Sequence, residues 1–318
     1  MRAGPPACVA RLPPAPGVYR FRDGRGHVLY IGRAVDLRRR VASYWGDLRD
    51  RRHLLPMVIG VARVEAVVCD SEHEAAWLES NLLERRLPPW NRTDGWGVPV
   101  YVRLDPAPAA PGLSVVHELP PSGPARHRHF GPYLGAARAR LAVSAVERVL
   151  PLPYAGEGSR GFQRDMARVR CVGPADREAL VQRVIAVLDR DPAAVAALRE
   201  ELGRRRDRAA DGLAFELAAR LQAEIEALDW ITSEQKAALL EPLDLDVNGW
   251  AGGVLVRFEV RRGRLEGWSQ RACAEPAARR LVAATPAAWT GFARRNAELA
   301  ARLAQGTPAA TSARPARA

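Results

Sequence analysis

Four residues, Asp23-Gly24-Arg25-Gly26, constrain the start of this chain more than any others. They are turn formers set between two short β-rich runs, residues 18–21 and 27–31, and that arrangement predicts an antiparallel hairpin. A basic helix is expected next, over residues 35–45, with Asp36 near its start where a carboxylate suits the helix dipole. Residues 64–69 read as a third strand. Ser71 then opens a helix with Glu74 three residues on, the spacing of a capping box, and Pro88-Pro89 stops that helix after residue 86. The order β-β-α-β-α describes an α+β domain over residues 1–100, a three-stranded antiparallel sheet with flanking helices.

Two sets of residues stand out of pattern in this domain. Tyr19 lies on the first strand and Tyr30 on its partner, with Gly17 and Gly32 at the outer ends, where glycine permits a close approach. Arg33 precedes the basic helix, and Arg38, Arg39 and Arg40 lie within it. Arg40 and Tyr44 are four apart and share a face with Leu37 and Val41, which puts Arg40 at the edge of the core-facing stripe and sends Arg38 and Arg39 outward. In the second helix Ala75, Leu78, Leu82 and Arg86 fall on one face, and Glu79 lies inside that stripe. A carboxylate there is costly unless paired with an arginine or bound to a metal, and periodicity leaves both open.

The net charge of +12, with pI ≈ 10.6, suits a polyanionic partner or an even solubility surplus. Nearly all of the basic charge is arginine, Lys236 being the single lysine. Cys8, Cys69, Cys171 and Cys273 are far apart and form no C-x-x-C, so no zinc or iron–sulfur ligand set is visible. The proline-broken N-terminus has no apolar signal core, and no apolar run approaches the roughly 18 residues of a membrane span, so a cytoplasmic location is expected.

Residues 101–175 read as a Pro/Gly-rich connecting region. From residue 98 on, strands are expected at 99–104 and 113–117, a helix at 136–149 and loop at 153–175. Residues 176–235 form a mainly helical region, helical to about 231 with a break at Asp211-Gly212. A small C-terminal α/β part is expected over 240–305, with a hairpin at 253–268 turning at Arg262-Gly263 and a helix at 287–304. Residues 306–318 read as a disordered tail.

Gly17-Val18-Tyr19, Tyr30-Ile31-Gly32-Arg33-Ala34 and Leu37-Arg38-Arg39-Arg40-Val41-Ala42-Ser43-Tyr44 closely resemble the signature of GIY-YIG nucleases of the UvrC type. Glu74-Ala75, Leu78-Glu79-Ser80-Asn81-Leu82-Leu83 and Pro88-Pro89-Trp90-Asn91 resemble that family's second helix and following turn, in matching order and spacing. The resemblance implies that Tyr30, with Tyr19, activates the attacking water and that Arg40 stabilises the transition-state charge. It makes Glu79 the only protein ligand of one Mg²⁺ or Mn²⁺, while Asn91 orders the site and Tyr44 packs at the active-site helix. Arg33, Arg38 and Arg39 are then DNA contacts. Arg33 stands where the family usually carries lysine, and Trp90 where it carries tyrosine.

Phe130-Gly131-Pro132-Tyr133 and Val149-Leu150-Pro151-Leu152 resemble the segment in which UvrC proteins hold an iron–sulfur cluster with four cysteines. Only Cys171 lies nearby here, so no cluster is expected. Residues 195–231 resemble a UVR motif, the helical hairpin that contacts UvrB, with Phe215, Glu216, Ala218, Ala219 and Leu221 as its docking residues. A plain amphipathic hairpin packed within its own protein is the alternative. The family's second nuclease domain uses an Asp-Asp-His set, and no histidine follows His129. The resemblance, shared with the shorter homologue Cho, therefore implies a metal-dependent endonuclease of nucleotide excision repair. It would make a single cut 3′ of damage in duplex DNA, recruited by UvrB with UvrA upstream. Alternatives are a nuclease for branched or foreign DNA and a non-catalytic adaptor.

Overall fold

Asp23 closes the first hairpin with its own carboxylate. Its Oδ1 accepts from the backbone N–H of Arg25 at 2.9 Å and of His27 at 2.8 Å, which satisfies the turn locally. The strands so joined, β1 (Gly17–Arg22) and β2 (Val28–Ala34), are antiparallel and pair Tyr19 with Gly32 and Phe21 with Tyr30. The structure is a computed structural model and describes residues 6–46, 49–92, 97–119 and 127–305; the tail expected over 306–318 lies outside them.

Helix α1 (Leu37–Ala42) is shorter than the expected 35–45, and Asp36 caps it by accepting from Arg39 N at 2.9 Å. After α2 (Leu55–Ile59), strand β3 (Arg63–Val68) pairs antiparallel with β1, so the sheet order is β2-β1-β3. Helix α3 (Glu72–Arg85) starts at Ser71, whose hydroxyl oxygen accepts from Glu74 N at 3.0 Å. The other half of the expected capping box is replaced: the Glu74 carboxylate accepts from Asp70 N at 2.5 Å and Lys236 N at 2.6 Å. One of these partners is local and the other tertiary, because Glu74 is buried against the 234–238 segment.

Residues 97–233 form a compact unit of their own. Strands β4 (Pro99–Asp105), β5 (Gly112–Val116) and β6 (Arg128–Leu134) make an antiparallel sheet of order β5-β4-β6; β6 is an addition to the two expected strands. Val100, Val102 and Leu104 alternate inward on β4 and pack with Ala139, Ala142 and Val146 of α4 (Ala136–Val149). The stretch expected as loop contains a helix, α5 (Phe162–Val169), none of whose residues is buried. Its apolar residues Phe162, Met166 and Val169 do recur at helical spacing, but eight residues are too short a run for that period to stand out, which is why the sequence reads as loop. The helical region is broken twice. α6 (Arg177–Leu188) is followed by Arg190, which has φ 68°, and Asp191 caps α7 (Pro192–Asp211) by accepting from Ala194 N at 2.8 Å. The expected break at Gly212 leads into α8 (Phe215–Thr232), which packs against α7 and α4.

The described residues from 234 to 305 belong with those from 6 to 92 in the other unit. The hairpin expected at 253–268 is present as β8 (Val254–Arg261) and β9 (Arg264–Ala272), turning at Arg262 (φ 49°) and Gly263 (φ 75°). An unforeseen strand, β7 (Leu245–Ala251), completes the order β7-β8-β9, and α9 (Glu275–Ala283) and α10 (Ala287–Ala304) follow. Gly249 lets α10 lie close on β7, since a Cβ there would meet Ala293 O at 2.1 Å. Leu299 and Leu303 of α10 enter the same core as Val9, Leu12, Tyr19 and Leu37. The segment 240–305, read from the sequence as a small part by itself, is thus built into the N-terminal unit.

Candidate active site

The site is built on the central and edge strands of the first sheet. β1 is covered on both faces, so Val18, Tyr19, Arg20 and Phe21 are all buried. Tyr19 and Phe21 share a core cluster with Leu37, Val41 and Tyr44. On the opposite face Arg20 pairs with Glu65 and lies 3.8 Å from the Trp268 ring centroid. Across from Tyr19 stands Gly32, where a Cβ would meet the Tyr19 hydroxyl at 2.5 Å and the Tyr30 ring at 2.8 Å. The missing side chain is what lets two tyrosines converge on one side of the hairpin.

Tyr19 and Tyr44 join hydroxyls at 2.7 Å, and the rings of Tyr19 and Tyr44 lie 6.2 and 6.0 Å from that of Tyr30. Tyr19 and Tyr44 are buried, whereas Tyr30 is half-buried and the phenol a substrate can reach. Burial pushes the Tyr19 and Tyr30 phenols well above the usual tyrosine range, with neighbouring phenols adding to the effect and Arg40 opposing it. Both are therefore neutral at neutral pH. Arg40 lies 5.5 Å from the Tyr44 ring centroid and faces all three phenols. It is exposed rather than turned to the core, so the expected place at the edge of the apolar stripe is met by stacking on an aromatic face.

Glu79 is half-buried on α3. Its Oε1 accepts from Arg33 N at 3.1 Å, and its Oε2 lies 3.2 Å from Arg33 Nε. Burial raises its carboxyl pKa, while Arg33 and Arg40 pull it down. Of the two readings left open by the helix periodicity, the arginine pair is present. Among the described residues no group of three or more His, Cys, Asp or Glu could hold a metal. A cation at Glu79 would thus have one carboxylate and otherwise water or phosphate oxygen, a donor set that fits Mg²⁺ or Mn²⁺ and no softer ion.

Asn91 clamps the edge of β2. Its Oδ1 accepts from Ile31 N at 2.9 Å and its Nδ2 donates to Ile31 O at 2.7 Å, directly between Tyr30 and Gly32. Arg38 and Arg39 are exposed, with Arg38 Nε donating to Leu12 O at 2.6 Å.

A family model for the UvrC-like GIY-YIG domain matches residues 15–92. Residues 15–92 are a UvrC-like GIY-YIG domain. The UvrABC system protein C of Symbiobacterium thermophilum is 34% identical over 275 residues, 81% of this chain and 43% of its own length. That of Desulforudis audaxviator is 34% identical over 277 residues, 81% of this chain and 44% of its own length. The chain thus spans under half the length of the curated relatives it matches. Among solved structures, the GIY-YIG N-terminal endonuclease domain of UvrC from Thermotoga maritima, bound to magnesium, is 31% identical. It covers 26% of this chain and 91% of its own, with a TM-score of 0.25.

Sequence reasoning missed the residues that hold the GIY-YIG sheet from the far end of the chain. Asn296 accepts from Val68 N at 2.7 Å and donates to Val68 O at 3.1 Å. Arg295 reaches Asp70 at 2.5 Å and Lys236 reaches it at 2.8 Å, bracing the turn that leads into α3 and Glu79. The available signal was an asparagine inside the apolar stripe Trp289, Phe292, Ala293, Ala300, Leu303 of the last helix.

At the tip of the α7–α8 hairpin Leu213, Phe215 and Leu217 are exposed, as are Glu216 and Ala219, and Ala218 is half-buried. Leu221, expected to dock a partner, is 2% exposed and packs in the core of its own unit with Ile225 and Leu228. The apolar stripe of α8 is spent on α4 and α7, which leaves only the tip to meet anything else. No helix among the described residues is long and apolar enough to cross a membrane.

Proposed function

We propose that this chain is a metal-dependent DNA endonuclease of nucleotide excision repair that hydrolyses one phosphodiester 3′ of a lesion. The observation that carries this reading is the convergence of Tyr30, Arg40 and Glu79, each lifted from a different element, on one side of the GIY-YIG hairpin. Tyr30 interacts electrostatically with both Glu79 and Arg40.

Neutral Tyr30 accepts a hydrogen bond from the attacking water and holds it toward the phosphorus. Its hydroxyl is also a hydrogen-bond neighbour of Tyr44, which meets Tyr19, so the phenol is held in place while the water gives its proton to a phosphate oxygen or to solvent. Arg40 holds a fixed guanidinium beside the same group, where it stabilises charge as it grows on the phosphate. Glu79 would hold one Mg²⁺ or Mn²⁺, which supplies Lewis-acid stabilisation of the leaving 3′ oxygen when bound. The Arg33 pair must open for that, and the Arg33 backbone N–H keeps one carboxylate oxygen aimed meanwhile. Asn91 sets Tyr30 by fixing Ile31 beside it. Arg33, Arg38 and Arg39 are exposed beside these groups and suit the flanking phosphates. UvrB, with UvrA upstream, would meet the exposed tip around Phe215.

The test is an incision assay on end-labelled duplex bearing one bulky lesion, with UvrA, UvrB, ATP and Mg²⁺. One UvrB-dependent cut 3′ of the lesion is expected, reduced on the order of a hundredfold or more by Glu79→Gln. Cutting of undamaged or branched DNA without UvrB would keep the nuclease and discard the repair role. No cutting of any DNA would discard the enzyme.

A further inference from the structure

The helical unit carries an open cleft of about 360 Å³ lined by Arg148, Arg170, Arg205 and Arg208, with Ala209, Leu217 and Leu221 as its apolar part. We propose that this cleft binds a phosphate group of a nucleic-acid backbone, with the adjoining sugar on the apolar part.

The arrangement of charge carries the proposal. Arg170 Nη1 and Arg205 Nη1 both donate to the same acceptor, Arg148 O, at 2.8 and 2.6 Å. One carbonyl in the last turn of α4 thus pins two guanidiniums side by side. A helix C-terminus attracts a cation, but its partial charge of about half a unit cannot offset two full ones. The carboxylates nearby are already taken. Glu224 is held by Nε and Nη2 of Arg148 at 2.5 and 2.7 Å and lies 3.5 Å from Arg220. Glu201 is shared by Arg204 at 2.8 Å, Arg205 at 2.7 Å and Arg208 at 3.9 Å, and Glu200 pairs with Arg204 at 2.5 Å. Five arginines therefore share three carboxylates and Arg170 has no carboxylate partner among the described residues, a local surplus of three positive charges. Holding such a surplus together is unfavourable unless an anion completes it.

Phosphodiester chemistry fits the cleft better than a lone anion would. Guanidinium forks match phosphate oxygens two at a time. Leu217, 44% exposed, offers an apolar contact for the adjoining sugar. The choice of a backbone over free phosphate rests on the reading that the chain works on DNA; the phosphate chemistry of the cleft does not.

The experiment uses the full chain carrying Glu79→Gln, so that DNA is bound and not cut. Binding of a short fluorescent duplex is followed by anisotropy across a salt series for this parent, Arg170→Ala and Arg208→Ala. Arg208 donates within its own helix, to Arg204 O at 3.3 Å, so its loss leaves the α4 terminus capped should Arg170→Ala fail to fold. Each variant is expected to weaken binding about three- to tenfold and to reduce the slope of log K against log salt by about one, one phosphate's worth. Arg170→Lys, which keeps the charge, is expected to recover most of the slope. If inorganic phosphate raises the melting temperature of the parent but not of the variants, while duplex binding is unchanged, the phosphate site stands and its ligand is free phosphate. Parent-like binding and slope in both variants, with no effect of phosphate, would overturn the site, as would stabilisation by an acidic peptide alone. Cutting by the unmutated chain is scored separately, so a failed nuclease reading and a failed cleft give different results.

Discussion

The two edges of the GIY-YIG sheet are closed by the same device, supplied from opposite ends of the chain. On β2, Asn91 bonds both backbone groups of Ile31; on β3, Asn296 bonds both backbone groups of Val68. In each case a side-chain amide imitates one more residue of strand and satisfies an edge that would otherwise stay open. Asn91 lies within the domain it closes and is half-buried, next to the reactive hairpin. Asn296 comes from a helix beyond residue 286 and is 1% exposed, beneath the turn that starts α3. The difference teaches that one clamp lies beside the candidate site and the other deep in the fold, and that a domain recognised in residues 15–92 leans on residues far outside it.

The strongest way to break that contrast is to end the chain after residue 286. This removes Asn296, Leu299 and Leu303 from the sheet and its core. A buried leucine cut back costs about 2–5 kcal/mol, so two leucines and the edge cap approach the whole 5–15 kcal/mol of a typical domain. The cooperative melt of the N-terminal unit should disappear in circular dichroism. A truncated chain that melts like the parent would show the GIY-YIG domain to be self-sufficient.

Next in size is the pair of single substitutions. Asn296→Ala strands a buried N–H and C=O at Val68 and should cost about 2 kcal/mol in a urea melt, with residual cleavage following the folded fraction. Asn91→Ala should cost about 1 kcal/mol, since Asn91 is only half-buried and water can take the place of its amide, yet lower the cleavage rate of the folded protein because Tyr30 is next to the loosened bond. Equal costs and equal rates would erase the distinction between the edges.

Glu74 sharpens the contrast through pH. It ties α3 to the 234–238 segment, and burial pushes its carboxyl up to about 7 against the pull of two backbone N–H donors. Its folded value lies above the unfolded one, so the folded state binds the extra proton. The resulting stability is present below about pH 4.5 and is lost as pH rises toward 7, by at most about 1.4 kcal/mol per pH unit. Glu74→Gln should flatten that slope in melts across the window. A parent whose stability rises with pH there would show that the two N–H donors hold Glu74 ionised throughout.

The smallest effect belongs to the reactive edge itself. Arg33, whose side chain is 51% exposed, forms a screened pair with Glu79. Removing it by Arg33→Ala should tighten Mn²⁺ binding a few-fold, on the order of 1 kcal/mol or less, as read by calorimetry without DNA. Weaker binding in the variant would mean that Arg33 orders the carboxylate for the ion and does not compete with it.

What the sequence determined by itself was everything carried by short-range chemistry. The hairpin around Asp23, the carboxylate at the start of the basic helix and the order of the signature residues are all readable because their causes lie within a few residues. The helix at 136–149 and the hairpin turning at Arg262-Gly263 were legible for the same reason. Only the tertiary structure decided the rest. It sent Glu74 away from its local cap to Lys236, put Leu221 inside its own unit, closed Glu79 with Arg33 and brought Asn296 to Val68. Each of these is a choice between a nearby partner or solvent and a group distant in the chain. Burial settles such choices, because a polar group removed from water takes whatever partner the packed chain places beside it.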